Sequence, residues 1–303
     1  MKKTIIIFIG ILTLLCVNIY AIGETGGSVF DMNSGARPAS MAGVFIAKAD
    51  DINSIWYNPA GIANIGSYEL GFTYDKNVAG IRNAFVSFVV PFETIGSIGI
   101  GVVHSTVQDD INNAVEEAAV KVYDIAGVLG YSYAFSKNFL LGANVKYLSS
   151  YLGDYSSSSI AFDAGALYYI NKLGIGLVVQ NIGTSLKFES ETTPLPLKAG
   201  LGLNYEVLTI KEHLVSLSGD VKYNIADEYL TSGIAGEYMY DEMFSLRVGY
   251  IIEQKSMNGI TAGAGIKSVI NEIVFKFDYA FLPKIWADGG FDTSHMISLQ
   301  VQF

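Results

Sequence analysis

Residues 272–281 read Glu-Ile-Val-Phe-Lys-Phe-Asp-Tyr-Ala-Phe, and every second residue from Ile273 to Phe281 is large and apolar. The residues between them include Lys276 and Asp278, so one face of the segment is apolar and the other is partly charged. This period of two residues is the pattern of a β-strand that lies between an apolar and a polar environment. The end of the chain repeats it, with apolar side chains at 297, 299, 301 and 303. The chain is therefore predicted to finish in two amphipathic strands.

The same alternation, followed back from these two segments, predicts about fourteen strands, each about ten residues long. A strand of that length crosses the apolar part of a bilayer when it is tilted by roughly 45°. The count is even, and short turns alternate with longer connections, as in bacterial membrane barrels. The predicted strands lie near 68–75, 82–91, 95–106, 121–133, 138–149, 158–170, 173–182, 194–205, 212–225, 230–240, 244–253, 258–267, 271–281 and 294–303.

The composition supports a membrane barrel over a soluble β-protein. Half of the residues are hydrophobic and 16% are charged, against roughly a quarter charged in soluble domains. The charged residues of the predicted strands share one parity, opposite to that of the large apolar residues. They are Glu69, Lys146, Asp163, Lys198, Asp220, Lys222, Glu237, Arg247, Lys276 and Asp278. Because a bilayer offers no partners for unpaired backbone, this pattern predicts a closed barrel with its charges turned into the lumen.

The N-terminus has the organisation of a secretory signal peptide. Lys2 and Lys3 precede an almost unbroken apolar run from residue 4 to residue 20, and Ala21 offers a small residue for cleavage. The alternative is a retained membrane anchor. Cleavage would remove Cys16, the single cysteine, so the mature chain is expected to have no thiol chemistry. The formal net charge of −10 argues against nucleic acid as a partner.

The segment before the first predicted strand carries two motifs. Residues 35–43 read Gly-Ala-Arg-Pro-Ala-Ser-Met-Ala-Gly, and residues 49–61 read Ala-Asp-Asp-Ile-Asn-Ser-Ile-Trp-Tyr-Asn-Pro-Ala-Gly. Together with residues 194–200 and 244–250, they resemble the signature of the PorV/PorQ family, relatives of the FadL outer-membrane transporters. The resemblance implies a fourteen-stranded barrel with an N-terminal hatch, in agreement with the strand count.

The predicted fold class is all-β, a transmembrane antiparallel β-barrel of about 14 strands with an N-terminal hatch segment. The predicted division is a signal peptide at 1–21, the hatch at 22–66 and the barrel at 67–303. Small residues mixed with turn formers predict that the hatch is compact, partly helical and folded into the lumen. It is expected either to seal the lumen or to gate it.

Several hatch residues are candidates for ligand contact and for holding the hatch in place. They are Arg37, Trp56, Tyr57, Asn58, Pro59 and Gly61. Pro59 favours an extended Asn58, which predicts a sharp turn from Trp56 to Gly61. Arg37 is the one guanidinium of the hatch and is expected to bind inward carboxylates such as Glu69 or Asp163.

A lumen ion pair is predicted from one hairpin. A three-residue turn at 241–243 would place Tyr240 opposite Phe244, and therefore Glu237 opposite Arg247. Both charged side chains would point inward, where a cross-strand pair is favourable and an unpaired charge is not. The alternative is two separately hydrated lumen charges.

The sequence offers little sign of catalysis, and neither a metal site nor a cofactor is predicted. His104, His213 and His295 fall on the apolar face, and none has a second ligand at metal-binding spacing. No Ser/His/Asp grouping indicates a nucleophile with its base. The Gly-rich stretches 96–101 and 263–265 lie inside predicted strands, where glycine leaves lumen space or permits curvature.

The first functional prediction is a FadL-like barrel in the outer membrane of a Gram-negative-type bacterium, for binding or passage of hydrophobic small molecules. The alternative is a PorV/PorQ-like component of type IX protein secretion or surface assembly, without transport activity. The expected partners are outer-membrane lipid and either apolar small molecules or secretion-system proteins. A conduit predicts a continuous apolar pocket behind the hatch, whereas a secretion component predicts a sealed lumen.

Overall fold

The computed structural model describes residues 25–76, 80–107, 122–189, 191–253, 259–285 and 291–303. Its helices are α1 (Ala36–Ser40) and α2 (Ser54–Tyr57), with short 3₁₀ helices at Ser28–Asp31 and Pro59–Asn64. The strands are β1 (Glu69–Lys76), β2 (Ile81–Phe92), β3 (Gly96–Val107), β4 (Val122–Ser136), β5 (Phe139–Leu152), β6 (Tyr155–Ile170), β7 (Leu173–Gly183), β8 (Leu186–Phe188), β9 (Glu191–Thr193), β10 (Lys198–Ile210), β11 (His213–Asn224), β12 (Tyr229–Tyr240), β13 (Phe244–Glu253), β14 (Gly259–Ile270), β15 (Ile273–Ile285) and β16 (Phe291–Gln302). In these ranges no helix has the length and apolarity that crossing a membrane requires.

Fourteen of the strands form one closed antiparallel barrel. Barrel neighbours are also neighbours in sequence, except that β7 pairs with β10 because β8 and β9 form a separate hairpin between them. β1 closes the ring against β16, with Glu69 opposite Gln302. Closure gives each barrel strand two partners and leaves no sheet edge unpaired. The predicted fold class is confirmed.

The strands of the barrel separate an apolar outside from a polar inside. On β13 the outward side chains of Leu246 and Val248 are 62% and 55% exposed, whereas Ser245 and Arg247, which alternate with them, point inward and are buried. The same alternation runs along the other strands of the barrel. Exposed apolar surface on this scale is rare in soluble monomers, so the outer face is built for an apolar surrounding.

The long connection between the strands predicted at 173–182 and 194–205 contains a hairpin that the sequence analysis did not identify, β8–β9. Its strands have three residues each, which is too short for an alternating pattern to be recognised. The hairpin forms because Leu186 has an apolar cluster to enter, where it is buried. Most of the connection between the strands predicted at 95–106 and 121–133 lies outside the described residues, as does part of the connection between those predicted at 271–281 and 294–303.

The barrel has two different ends. Short turns such as 171–172 and 241–243 join strands at the end where β1 begins and β16 finishes, and there the Phe303 amide donates to the Tyr68 carbonyl oxygen (3.0 Å). We call this the short-turn end. The opposite end, called the long-loop end, carries the β7–β10 connection with its hairpin and the β11–β12 loop.

Candidate functional site in the barrel lumen

The hatch, described from Thr25 onward, occupies the lumen. It begins at the long-loop end, where Thr25 Oγ1 donates to Asp227 Oδ2 (2.7 Å) and the Gly26 amide donates to the Pro194 carbonyl oxygen (2.9 Å). It then passes through the barrel and enters β1 at the short-turn end. Most residues between 26 and 65 are buried. The hatch therefore supplies most of the core that the barrel wall packs against.

Glycine and proline set the local path of the hatch. Gly35 (φ 105°) precedes α1 and Gly43 (φ 71°) follows it, and both are in a region that favours glycine. Asn58 is extended (φ −153°, ψ 104°) before Pro59, as expected for a residue that precedes proline. Its Oδ1 accepts from the Ala60 amide (3.2 Å) and so caps the 3₁₀ helix.

Inward glycines of the barrel bring the hatch into contact with the strand backbone. A Cβ at Gly142 would overlap the backbone of Pro59, and one at Gly165 would overlap the Asn58 side chain. Within the hatch, a Cβ at Gly61 would lie only 2.5 Å from the Ala49 carbonyl oxygen. The other barrel glycines that a Cβ would press against the hatch are Gly99, Gly130, Gly176, Gly200, Gly202, Gly233, Gly249 and Gly263. Of the glycines in the stretches 96–101 and 263–265, Gly99 and Gly263 thus leave lumen space that the hatch fills.

The largest apolar cluster in the described lumen lies between the hatch and strands β2–β6. Its barrel members, which we call the apolar wall, are Phe85, Val89, Val103, Ala126, Val128, Leu140, Leu148, Ala161 and Leu167. Against them the hatch places Trp56, whose ring centre lies 5.5 Å from that of Phe85 and 6.2 Å from that of Phe30. Leu186 and Leu195 of the β7–β10 connection join the same cluster.

The opposite side of the lumen is charged. We call the following inward charged side chains of β10–β16 and β1 the charged wall: Glu69, Asp75, Lys198, Asp220, Lys222, Glu237, Arg247, Lys276 and Asp278. Glu237 is at its centre and is buried. Its Oε1 accepts from Arg37 Nε (2.9 Å) and Arg247 Nε (2.7 Å), and its Oε2 accepts from Arg37 Nη2 (3.0 Å). Arg247 Nη1 also donates to Asp278 Oδ1 (2.6 Å).

Arg37 binds a different set of carboxylates from the one expected. Its Nη1 lies 2.6 Å from Asp50 Oδ1 and 2.8 Å from Asp51 Oδ2, both in the hatch itself, and its other contacts are with Glu237. The expected partners Glu69 and Asp163 were wrong, because each already has its own cation. Glu69 Oε1 lies 3.3 Å from Lys276 Nζ, and Asp163 Oδ2 lies 2.7 Å from Lys146 Nζ.

Lys48 adds a third cation to Glu237, at 3.3 Å between Nζ and Oε2. Burial lowers the pKa of Lys48, but the Asp50 and Glu237 carboxylates outweigh it, so the pKa is raised above its ordinary value. The pKa of Arg37 is raised in the same way, against burial, by Asp50, Glu237 and Asp51. Both side chains are therefore cationic in the folded protein, and the network joins hatch to wall by compensated charges.

The charged wall also binds the hatch backbone. Asp220 Oδ2 accepts from the amides of Phe45 (2.8 Å) and Ile46 (3.0 Å), and Lys222 Nζ donates to the Gly43 carbonyl oxygen (2.8 Å). Sequence parity placed Asp220 and Lys222 inward, but neither was recognised as a site residue. Both side chains bind backbone groups of the hatch, so the residue types of their partners give no indication of these contacts in the sequence.

The predicted candidates fall into two groups. On the charged side, Arg37 and Arg247 both bind Glu237. Glu237 lies opposite Arg247 in the ladder, which is the register that the three-residue turn predicts. Trp56 lies in the apolar cluster, with its Nε1 donating to the Met32 carbonyl oxygen (3.2 Å). Tyr57 packs on Phe45 with ring centres 5.6 Å apart.

The remaining candidates fix the turn between these groups. Asn58 Nδ2 donates to the Ile46 carbonyl oxygen (2.8 Å), while Pro59 and Gly61 make the close contacts described above. Among the described residues no cluster of three His, Cys, Asp or Glu side chains forms a metal site. His104 and His295 are exposed on the barrel's outer face, and His295 Nδ1 lies 2.6 Å from Tyr279 Oη. The lumen thus offers an apolar surface on one side and an anchoring surface on the other.

The chain is similar in sequence or fold to several known proteins. The model of an uncharacterised protein family, UPF0164, matches residues 21–150. No curated protein matches the chain significantly. The fold is similar to that of the Ralstonia pickettii toluene transporter TbuX (TM-score 0.64, 13% identity), over 89% of this chain and 98% of that one.

Two further solved structures are similar in fold. One is a Pseudomonas aeruginosa FadL homologue (TM-score 0.58, 13% identity, 89% of this chain and 98% of that one). The other is the CymD monoaromatic hydrocarbon channel (TM-score 0.62, 14% identity, 89% and 97%). The chain therefore has the fold of FadL-like transporter and channel barrels.

Proposed function

We propose that this protein is an outer-membrane barrel that binds or passes hydrophobic small molecules along its apolar wall. The observation that carries the proposal is the buried apolar cluster between the hatch and β2–β6, on the side of the lumen away from the hatch's ionic anchors. Proteins of similar fold include a toluene transporter and a monoaromatic hydrocarbon channel, and that likeness supports the same class of solute here.

The physical basis is the transfer free energy of an apolar solute. Contact with side chains such as Phe85, Val103 and Leu148 replaces contact with water, at about 25 cal/mol for each Å² of apolar surface buried. A lumen lined by charges around its whole circumference would hold water and exclude such a solute. The division of the lumen into two walls therefore favours an apolar route on one side only.

The proposal includes the organisation of the chain. A signal peptide at 1–21 directs export, the hatch at 22–66 fills the lumen, and the barrel at 67–303 spans the outer membrane. The exposed apolar outer face of the barrel supports this location. The hatch residues Arg37 and Lys48 keep the hatch on the charged wall, so a solute passes by parting the hatch from the apolar wall.

The alternative, a PorV/PorQ-like component of protein secretion, stays a prediction. It calls for a sealed lumen and a protein-binding surface. The close packing of the hatch against the barrel wall fits a sealed lumen as well, so the uptake experiment below separates the two functions. The similar folds named above belong to transporters and channels.

An uptake experiment tests the proposal. The protein is produced in the outer membrane of a host cell, and entry of radiolabelled toluene is compared with that in cells without the protein. Leu148→Asn places an amide in the fully buried apolar wall, and we expect uptake to fall roughly tenfold because a buried, unpaired amide is unfavourable for an apolar route. Ser216→Ala on β11, at a buried inward position outside the apolar wall, is the control, and it should leave uptake unchanged.

Two results would contradict the proposal. Uptake no greater than in cells without the protein would remove the transport function. Equal uptake by the Leu148→Asn variant and the parent, with both present in the membrane in the same amount, would show that solutes do not follow the apolar wall.

A further inference from the structure

The outer face of the barrel carries two cations side by side at the long-loop end. Lys76 is the last residue of β1 and lies directly opposite Arg82 of β2 in the ladder. Lys76 shares the outward face of its strand with Phe72 and Tyr74, and Arg82 shares that of β2 with Val86. Directly opposite residues of a sheet have Cβ atoms about 5 Å apart. The two charges therefore meet outside the lumen, away from the network that anchors the hatch.

Neither cation has an ionic partner among the described residues. The inward cations differ in this respect, since Lys146 pairs with Asp163 and Lys276 pairs with Glu69. The Nε–H of Arg82 is buried without an acceptor in the part of the chain that the structure describes. Like charges directly opposite each other destabilise a sheet, and their repulsion is stronger beside an apolar medium of low dielectric constant. The pair therefore calls for an anion that the described barrel does not supply.

The two cations are the centre of a polar row on the outer face. His295 of β16 lies opposite the lysine, and Thr106 of β3 lies opposite the arginine. The exposed His104 lies two residues before Thr106 on the same strand. On these four strands the carboxylates whose side chains are described, Glu69 and Asp75, are buried on the inward face. Four neighbouring strands thus present cations and polar groups, without an acid, over one stretch of the surface.

The row lies just past the apolar band of the barrel. On β1 the outward residues Phe72 and Tyr74 come directly before the lysine, and on β15 the rings of Tyr279 and Phe281 lie beside that of His295. Aromatic side chains gather where the apolar part of a bilayer meets its headgroups. The short turns of an outer-membrane barrel face the periplasm, so the long-loop end is in the outer leaflet. The row is therefore at the depth of the lipid phosphates.

We propose that Lys76 and Arg82 bind the phosphate group of an anionic lipid in the outer leaflet. The proposal rests on the proposed outer-membrane location and adds a specific lipid contact to it. Arginine donates to two oxygens of one phosphate, and the flexible lysine reaches the same group from the next strand. A phosphate between the two cations replaces their repulsion with charge-assisted hydrogen bonds. The site is next to the seam at which β1 and β16 close the barrel, so a bound lipid also stabilises the closed ring.

Lipid binding to the purified full-length protein tests the proposal. The protein in a neutral detergent is titrated with palmitoyl-oleoyl phosphatidylglycerol, or with phosphatidylcholine of the same chains, and native mass spectrometry counts the bound lipids. Inorganic phosphate is titrated into the lipid-free protein by calorimetry. The test variant is Lys76→Gln with Arg82→Gln. The matched control is Lys172→Gln with Lys211→Gln, which removes two exposed cations from turns at the short-turn end.

We expect the parent and the control to bind phosphatidylglycerol about tenfold more tightly than phosphatidylcholine, because two cations attract the anionic headgroup. The test variant should bind the two lipids equally. In neutral detergent it should unfold at a temperature no lower than that of the parent, because a repulsion has been removed. Heat-modifiable gel migration shows whether each variant is folded. If the test variant does not fold, Lys76→Gln alone replaces it and should reduce the preference.

Equal binding of the two lipids by the parent, or an undiminished preference in the folded test variant, would overturn the proposal. Binding of inorganic phosphate that the test variant loses, without a preference between the lipids, would assign the site to free phosphate instead. A protein that co-purifies with the parent but not with the test variant, in place of lipid, would assign it to a protein partner. In each of these cases, toluene uptake above that of cells without the protein would leave the proposed function standing. Absent uptake with a retained lipid preference would remove the proposed function alone.

Discussion

The two sides of the lumen hold the hatch by different physical means. On the charged wall, Glu237 gathers three cations, and Asp220 binds two backbone amides. On the apolar wall, Trp56 and Phe30 pack mainly on rings and aliphatic side chains, and both rings also face the Lys146 ammonium. The polar contacts on this side are fewer and uncharged at the hatch backbone, where Ser132 and Asn144 each donate to a hatch carbonyl oxygen at 2.8 Å. Buried ionic contacts are directional and lose much when one partner leaves, whereas apolar contacts are non-directional and can be replaced by another apolar molecule.

This difference indicates which wall the hatch can move away from. A solute such as toluene can take the place of an apolar side chain, but it cannot satisfy Arg37 or Asp220. The charged wall is therefore the fixed attachment of the hatch, and the apolar wall is the replaceable one.

Removing the charge of Glu237 should have the largest effect. Glu237→Gln leaves Arg37, Lys48 and Arg247 without their shared carboxylate in a buried site. Breaking a buried ion pair in this way is expected to destabilise the barrel by roughly 3–5 kcal/mol. Urea unfolding of the protein refolded in lipid vesicles measures it.

The matched control is Glu242→Gln in the β12–β13 turn. Glu242 Oε2 also pairs with a cation, Lys267 Nζ at 2.9 Å, but its side chain is 79% exposed. Its unfolding midpoint should stay close to that of the parent. Equal shifts for the two variants would mean that the charged wall is not the principal anchor.

Adding a side chain to Gly142 should have a smaller but clear effect. In Gly142→Ala the new Cβ overlaps the backbone of Pro59, and overpacking of this kind costs about 1–3 kcal/mol. Pro59 docks toward the short-turn end of β5, so this variant also tests whether that half of the apolar side is tightly packed. Increased protease cleavage within the hatch is the measurement.

Gly236→Ala serves as the control for this variant. The nearest atom to its added Cβ is 3.6 Å away, an ordinary van der Waals contact, so cleavage should not change. If protease cleaves the hatch of the Gly142→Ala variant no faster than that of the parent, the backbone contact with Pro59 can relax without loosening the hatch.

Much of the fold could be predicted from the sequence because the lipid boundary imposes a strict rule on every strand. Alternation at residues such as Phe277 and Asp278 determines which face is outside, and a three-residue turn determines that Glu237 pairs with Arg247 in the ladder. The partners of Arg37 could not be predicted this way, since they depend on how the hatch folds back on itself to bring Asp50 and Asp51 beside it.

The position of the apolar cluster also could not be predicted from the sequence. Parity shows that Leu148 and Ser216 both face inward, but not that strands β2–β6 gather the large apolar residues on one side of a closed ring. Closure of the barrel and the path of the hatch determine which inward residues come together as the apolar wall and which as the charged wall. The β8–β9 hairpin was missed for a related reason, because Leu186 is ordered by a cluster distant in sequence.

The smallest effect is expected at the Asp31–Lys198 pair. Asp31→Asn removes a partly exposed contact and should change global stability by about 1 kcal/mol or less. Because that contact holds the segment bearing Phe30, hydrogen exchange of the amides from 26 to 32 should become faster while exchange in α2 stays as it was. Equal acceleration in both segments would show that the hatch opens as one unit.

We expect the hatch to move away from the apolar wall during uptake and to stay attached to the charged wall. Disulfide tethers test it directly, since the mature chain is expected to contain no other cysteine. Gly26→Cys with Thr193→Cys ties down the start of the hatch, where the Cβ positions are 3.3 Å apart, close to disulfide geometry. Ala36→Cys with Ser298→Cys ties the hatch to β16 on the charged side, where the Ala36 amide now donates to Ser298 Oγ (2.8 Å). The measurement is toluene uptake by each tethered protein before and after reduction. We expect the first tether to block uptake until it is reduced and the second to leave uptake unchanged. Full uptake through the first tether, or a block by the second, would contradict an opening beside the apolar wall.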